Sequence, residues 1–340
     1  MTFTPNRRGL ALAALAGAAL GSAAMSRQAQ ADGGTAADLV RLSRQRRDPD
    51  VVLPLWPGTP PGGEGLVVKD LIIDHAPVGG PPDRSADHVA MPTLAFFRSA
   101  SPGPRATILI IPGGGYTNVW FDKEGYEVAR WLNTTGVHAA VLTYRLPAEG
   151  WKNGPDVPLQ DAQRAMRLLR HKAKAWAVDG GRLGILGFSA GGHLAASLLT
   201  RHDATVYAAV DEADTLPAGP QLACLAYPVI SMDESLTHAG SRQHLLGNAP
   251  TAAQVTAYSP DQTVPAGACP TFLFHAADDG AVPVGNSLAM FQALRRQNVA
   301  TEMHIFESGG HGFALREIPG RPAEPWPDLY RRWLGRHGFV

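Results

Sequence analysis

The run Gly187-Phe188-Ser189-Ala190-Gly191-Gly192 constrains this chain more than any other segment. It is entered by the apolar Leu183-Gly184-Ile185-Leu186 and followed by the helix-prone His193-Leu194-Ala195-Ala196. The pattern is that of a strand passing into a helix through a tight turn, with glycines two before and two after the serine leaving room for it. A serine held there stands at a strand end, within reach of a base and of donors for an oxyanion. The same pentapeptide also occurs as an ordinary glycine-rich turn with a capping serine. Its flanks and companions therefore decide what it means.

The chain has 340 residues, 45% of them hydrophobic and 18% charged, enough to bury a large core in a single α/β unit. Thirty basic residues balance thirty acidic ones, and no basic stretch resembles a nucleic-acid footprint. The first thirty-one residues stand apart. Arg7-Arg8 precede a Gly/Ala/Leu run from Gly9 to Ala24, and Ala29-Gln30-Ala31 reads as a small-x-small cleavage site. This pattern predicts an export signal of the twin-arginine type over residues 1–31, although Gly9-Leu10-Ala11 stands where a phenylalanine is usual. An exported chain, periplasmic or secreted, is expected, with no stable membrane insertion once the signal is removed. Its loss deletes Arg7, Arg8 and Arg27 and no acid, leaving a mildly acidic protein.

Residues 32–65, rich in Arg, Pro and Gly, read as an N-terminal arm, and residues 66–340 as one catalytic domain. Strand-like runs are predicted at 66–73, 93–97, 107–111, 138–142, 182–186, 222–229, 271–275 and 301–306. Helices are predicted at 126–133, 192–201, 284–297 and 328–336. The clearest has apolar residues at Leu159, Ala162, Met166, Leu169, Ala173 and Trp176, one face of a helix. Such alternation describes a mostly parallel sheet of eight strands flanked by helices on both faces, whose functional groups gather beyond the strands' carboxyl ends. In this alignment Cys224 and Cys269 lie about three residues out of register on neighbouring strands, too far for a disulfide.

Other strand ends supply what Ser189 needs. Ile108-Leu109-Ile110-Ile111 runs into Pro112-Gly113-Gly114-Gly115-Tyr116, where backbone N–H groups can turn toward a substrate oxygen. The N–H of Ala190 would be the other half of that oxyanion hole. No G-x-G-x-x-G pattern or following Lys-Ser/Thr marks this loop as a phosphate cradle. His311 lies in the loop Glu307-Ser308-Gly309-Gly310-His311-Gly312 after the last strand and is the favoured base over His193, His275 and His304. Asp278 and Asp279 compete as the orienting acid. Asp279 is preferred because it lies four residues after His275 and three before Val282-Pro283. The order serine, acid, histidine is the one seen in α/β-hydrolases.

Together these segments resemble the α/β-hydrolase esterases of the acetyl-xylan esterase and feruloyl-esterase-like (BD-FAE-like) kind, over roughly residues 51–340. The likeness rests on Trp56-Pro57-Gly58, Pro112-Gly113-Gly114-Gly115-Tyr116, Glu124-Gly125, Thr143-Tyr144-Arg145-Leu146-Pro147 and Pro158-Leu159-Gln160-Asp161-Ala162. It continues through the segment around Ser189, Ala226-Tyr227-Pro228-Val229, Tyr258-Ser259-Pro260, His275-Ala276-Ala277-Asp278-Asp279 and Gly309-Gly310-His311-Gly312. The resemblance implies an α/β-hydrolase fold, with Ser189 as nucleophile, Asp279 as acid, His311 as base, and Gly113, Gly114 and Ala190 as oxyanion donors. It implies no metal and no cofactor. Pro112, where related lipolytic families carry histidine, favours the carbohydrate-esterase branch. Tyr144, Arg145 and Asp161 are expected to be structural, and Tyr116 and Tyr227 to contact substrate.

The activity expected on this basis is hydrolysis of a small-molecule or oligosaccharide ester, foremost O-acetyl groups on xylan, with feruloyl or other small esters as the alternative. The segment 231–257 is expected to form a small cap, in which Met232, His238 and His244 either touch a sugar or pack. A prolyl-oligopeptidase-like peptidase shares the residue order but usually carries a large propeller domain. A xylanase would need two carboxylates straddling the glycosidic bond. A binding protein on this scaffold would typically have lost a member of the triad, and none is lost.

Overall fold

A computed structural model of the chain describes residues 48–340, so the expected export signal lies outside the described residues. The strands are β1 Val51–Pro54, β2 Leu71–Asp74, β3 Arg84–His88, β4 Thr93–Phe97, β5 Arg105–Ile111, β6 His138–Thr143, β7 Val178–Phe188, β8 Leu222–Ala226, β9 Thr271–Ala276 and β10 Thr301–Phe306. Among the described residues eight of them form one sheet in the order β1-β4-β6-β5-β7-β8-β9-β10. The five pairings from β6 across to β10 are parallel, and the β1–β4 and β4–β6 pairings are antiparallel. The middle strands are continuous apolar runs because both of their faces are covered; every residue of β9 is buried.

The helices are α1 Glu127–Thr134, α2 Val157–His171, α3 Ala173–Trp176, α4 Ser189–Arg201, α5 Ala239–Leu246, α6 Ala252–Ala257, α7 Gly285–Arg296 and α8 Trp326–Arg336. Strand alternation assigns them to faces. On β9, Phe274 stacks on Trp326 of α8 at 4.6 Å between ring centroids, while the next residue, His275, bonds Ser287 of α7 at 2.8 Å on the opposite face. Trp131 brings α1 to the α8 side through Trp326, whereas α2 packs on α4. No helix among the described residues is long and apolar enough to cross a membrane.

The outer strands depart from the sequence expectation. The segment expected as an arm contributes β1, an edge strand paired with β4 and exposed except for half-buried Leu53. Four residues ending in proline give little periodic signal, yet an edge needs partners on one side alone and tolerates proline. The run predicted at 66–73 lies outside the main sheet. Only Leu71–Asp74 is extended, and it pairs with β3 in a separate two-stranded ribbon with its side chains exposed. The run predicted at 222–229 stops at Ala226 because Tyr227 turns the chain at φ 35°. Strand β7 starts four residues earlier than expected. The helix of the clear apolar face ends at His171, leaving Ala173 and Trp176 in α3. Cys224 sits opposite Phe272, three residues from Cys269, and both thiols are free.

The arm is tied to the core by charge. Arg145 and Asp161 form an ion pair at 2.8 Å with both side chains wholly buried. Asp161 also accepts the Arg145 backbone N–H and the Trp56 indole N–H, so one carboxylate joins three segments. Replacing Asp161 by alanine strands a buried guanidinium, and the expected loss is about 3–5 kcal/mol in urea unfolding. The double variant Arg145→Met/Asp161→Leu is expected to recover most of that loss.

Candidate active site

Ser189 follows β7 directly and opens α4 with φ 53°, a left-handed conformation that a non-glycine residue adopts only under constraint. A Cβ at Gly191 would lie 2.1 Å from the Ile111 carbonyl oxygen, and one at Gly187 would lie 2.3 Å from the Gly191 carbonyl oxygen. The two glycines let β5, β7 and α4 meet backbone to backbone. The serine is thus lifted to the sheet's carboxyl edge.

Two further loops converge on it. Ser189 Oγ lies 2.8 Å from His311 Nε2, and His311 Nδ1 lies 2.7 Å from Asp279 Oδ2. A carboxylate only accepts, so Nδ1 carries the proton, Nε2 is the acceptor, and the serine hydroxyl donates to it. The structure brings Asp279 to the histidine, not Asp278. Asp278 instead accepts the N–H groups of Gly309 and Gly310 at 2.8 Å each, fixing the loop that carries His311.

Asp279 is fully enclosed and well supplied with donors. Its Oδ1 accepts the Ala281 and Val282 N–H groups, and its Oδ2 also faces His275 Nε2 at 3.1 Å. Burial alone would raise its pKa. The bonds from His275 and His311 outweigh it and hold the carboxyl well below the usual carboxylate range. With its pKa depressed in the folded chain, Asp279 stabilises the fold above the ordinary Asp value of about 3.9, and that contribution fades as pH falls below it.

The competing histidines have other partners. His193 bonds the Tyr116 hydroxyl through Nδ1 at 2.7 Å and the Tyr258 carbonyl through Nε2 at 2.8 Å. Burial pushes its pKa down to about 4, so it stays neutral. His304 pairs with Glu302 on edge strand β10.

The oxyanion expectation needs one correction. The Gly113 N–H donates to Glu124 Oε2 at 2.8 Å, so it is already taken. Gly114 N–H has no partner among the described residues, and Ala190, in the first turn of α4, has no intrahelical acceptor for its own. Both amides lie just beyond the carboxyl ends of β5 and β7.

Two substrate contacts are corrected as well. Tyr116 is 1% exposed, and its hydroxyl is engaged by His193. Tyr227 is wholly buried, and its hydroxyl donates to Glu124 Oε1 at 2.8 Å. The Tyr227 ring packs edge-on against His311, and the Tyr116 ring against His193. Within residues 231–257, Met232 is buried packing, whereas His238 sits against Gly115, its Nδ1 accepting the Ser241 N–H at the start of α5.

This arrangement has relatives. The BD-FAE family model matches residues 96–294, from β4 through most of α7. The chain belongs to the BD-FAE family. An acetylxylan esterase of Xylanibacter ruminicola is 34% identical over 226 residues, 65% of this chain and 44% of that protein. An endo-1,4-beta-xylanase B of Butyrivibrio fibrisolvens is 33% identical over 230 residues, 68% of this chain and 36% of that protein. The chain thus spans less than half the length of these two curated relatives. Among solved structures, an acetyl ester-xyloside bifunctional hydrolase from Caldicellulosiruptor lactoaceticus superposes with a TM-score of 0.71 at 33% identity, covering 87% of this chain and 99% of that one. A thermophilic esterase from Thermogutta terrifontis does so at 0.62 and 25% identity, covering 74% and 91%. The fold is that of the α/β hydrolases.

For this BD-FAE member the two adjacent aspartates separate experimentally. Asp279→Asn is expected to lower kcat on p-nitrophenyl acetate by about 10⁴-fold, because an amide no longer holds the histidine tautomer. Asp278→Asn, which weakens only a loop anchor, is expected to cost far less. Steady-state kinetics of the two variants checks both.

Proposed function

We propose that the chain is a serine carboxylic-ester hydrolase that works through an acyl-enzyme on Ser189. The observation that carries this reading is the unbroken chain from Ser189 Oγ through His311 to Asp279, at 2.8 and 2.7 Å. The serine oxygen attacks the ester carbonyl as its proton passes to His311 Nε2. The oxyanion is met by the Gly114 and Ala190 N–H groups, a donor of this kind typically contributing about 3 kcal/mol in the transition state. His311 then protonates the departing alcohol oxygen, activates water by the same nitrogen, and the acid leaves Ser189. Asp279 stays ionised throughout and stabilises the imidazolium.

The substrate class we favour is O-acetyl groups on xylan or xylo-oligosaccharides. Support comes from the acetylxylan esterase and the acetyl ester-xyloside hydrolase among the relatives. We also propose export through the twin-arginine-like segment 1–31, which suits a polymeric substrate outside the cell. Xyloside cleavage, the second activity in the name of the Caldicellulosiruptor enzyme, would need a carboxylate pair flanking the bond. The Ser189 site supports the ester half.

The test is a screen of wild type and Ser189→Ala against p-nitrophenyl acetate, longer acyl esters, acetylated xylan, methyl ferulate and p-nitrophenyl xyloside. Acetyl release that falls at least about 10³-fold in Ser189→Ala is expected. Xyloside cleavage that survives the substitution, with no ester turned over, would overturn the proposal.

A further inference from the structure

Glu124 is a buried carboxylate that the catalytic steps above do not use. It lies in the turn Asp122–Tyr126, is 5% exposed, and accepts two hydrogen bonds from two separate segments. Oε2 takes the Gly113 N–H at 2.8 Å, and Oε1 takes the Tyr227 hydroxyl at 2.8 Å.

Each donor leads to one half of the machinery. Gly113 immediately precedes Gly114, and the carbonyl on the other side of the same peptide, that of Pro112, accepts the Tyr144 hydroxyl at 2.9 Å. The Pro112–Gly113 peptide plane is therefore pinned at both ends, and the next plane, which carries the Gly114 N–H, is held through the Gly113 carbonyl, which accepts the Trp120 N–H at 3.0 Å. Tyr227, held at φ 35°, accepts the Ala314 N–H at 3.2 Å and packs edge-on against the His311 ring, with centroids 5.1 Å apart. Burial, reinforced by the charge of Glu124, keeps the Tyr227 phenol protonated and a donor. A single carboxylate thus ties the glycine loop to the loop carrying the base.

We infer that Glu124 is a positioning residue that holds the Gly114 oxyanion amide and the His311 loop in mutual register, an inference that rests on the ester-hydrolase reading. Electrostatics argues the other way. An anion beside the place where an oxyanion develops opposes the reaction, so Glu124 helps only if the geometry it holds outweighs its charge. The glutamine variant removes the charge but keeps one acceptor oxygen, and the sign of its effect decides.

The experiment compares wild type, Glu124→Gln, Glu124→Ala and Tyr227→Phe on p-nitrophenyl acetate. Rates are expressed per site titrated with a fluorophosphonate, so that misfolded protein does not count. Glu124→Ala is expected to lower kcat about 10–100-fold, less than the about 10²–10³-fold for outright loss of an oxyanion donor. KM should stay within about twofold, as for an interaction made in the transition state. Glu124→Gln keeps one acceptor for Gly113 and is expected to fall between Ala and wild type. Tyr227→Phe, which spares the Gly113 bond, is expected to lose less than Glu124→Ala. The Ki of trifluoroacetone, whose hemiketal oxygen occupies the oxyanion position, should rise in step with the loss of kcat/KM. If Glu124→Ala does not fold, the Gln and Phe variants carry the test.

A per-site kcat that is unchanged or raised in Glu124→Gln, with any loss confined to thermal stability, overturns the inference while Ser189-dependent turnover by wild type keeps the ester reading intact. A wild type without Ser189-dependent turnover overturns both.

Discussion

A serine forced into left-handed backbone at the junction of a central strand and a buried helix is the constraint on which the rest of this molecule turns. Such a conformation costs on the order of 1–3 kcal/mol and persists only where its surroundings over-determine it. Here they do. Gly187 and Gly191 allow backbone contacts that no side chain would permit, the Val229 N–H donates to the Ser189 carbonyl at 3.0 Å, and Phe188 and Ala190 on either side are fully buried. The result is a hydroxyl carried on rigid elements while its partners sit on loops.

Those loops are in turn held by carboxylates, each accepting at least two hydrogen bonds. Asp279 orients the base, Asp278 anchors the loop on which the base sits, and Glu124 binds that loop's Tyr227 support to the glycine turn. Asp161 does the same for the outer wall, joining Arg145 to Trp56. Burying an anion is costly unless its lone pairs are filled, so the three buried ones, Asp279, Glu124 and Asp161, each enforce one arrangement of the segments around them. The active-site geometry follows from charges that have nowhere else to go.

How much of this was legible in the sequence depends on how local the signal is. The elbow at Ser189, the glycine turn after β5 and the loop histidine each announce themselves within a few residues, and the positions of the central strands follow from continuous apolar runs. The choice of Asp279 over Asp278 also followed from spacing to His275, which the structure brings against the same carboxylate. Three things were not local. The Gly113 amide is taken by a residue eleven positions away, the Tyr116 and Tyr227 hydroxyls by partners 77 and 103 positions away. A tyrosine facing substrate and one bonded beneath the site read identically in sequence. Edge strand β1 was hidden for another reason, since four residues ending in proline carry too short a period to register.

The central claim is that Ser189 becomes covalently acylated. Intact-mass spectrometry with peptide mapping after exposure to paraoxon tests it most directly, because the organophosphate reports the activated serine without any assumption about the natural ester. A single diethylphosphoryl adduct on Ser189, absent from Ser189→Ala, is expected. Undiminished ester turnover by the fully modified protein, or an adduct mapped to another residue with Ser189 unmodified, would contradict it.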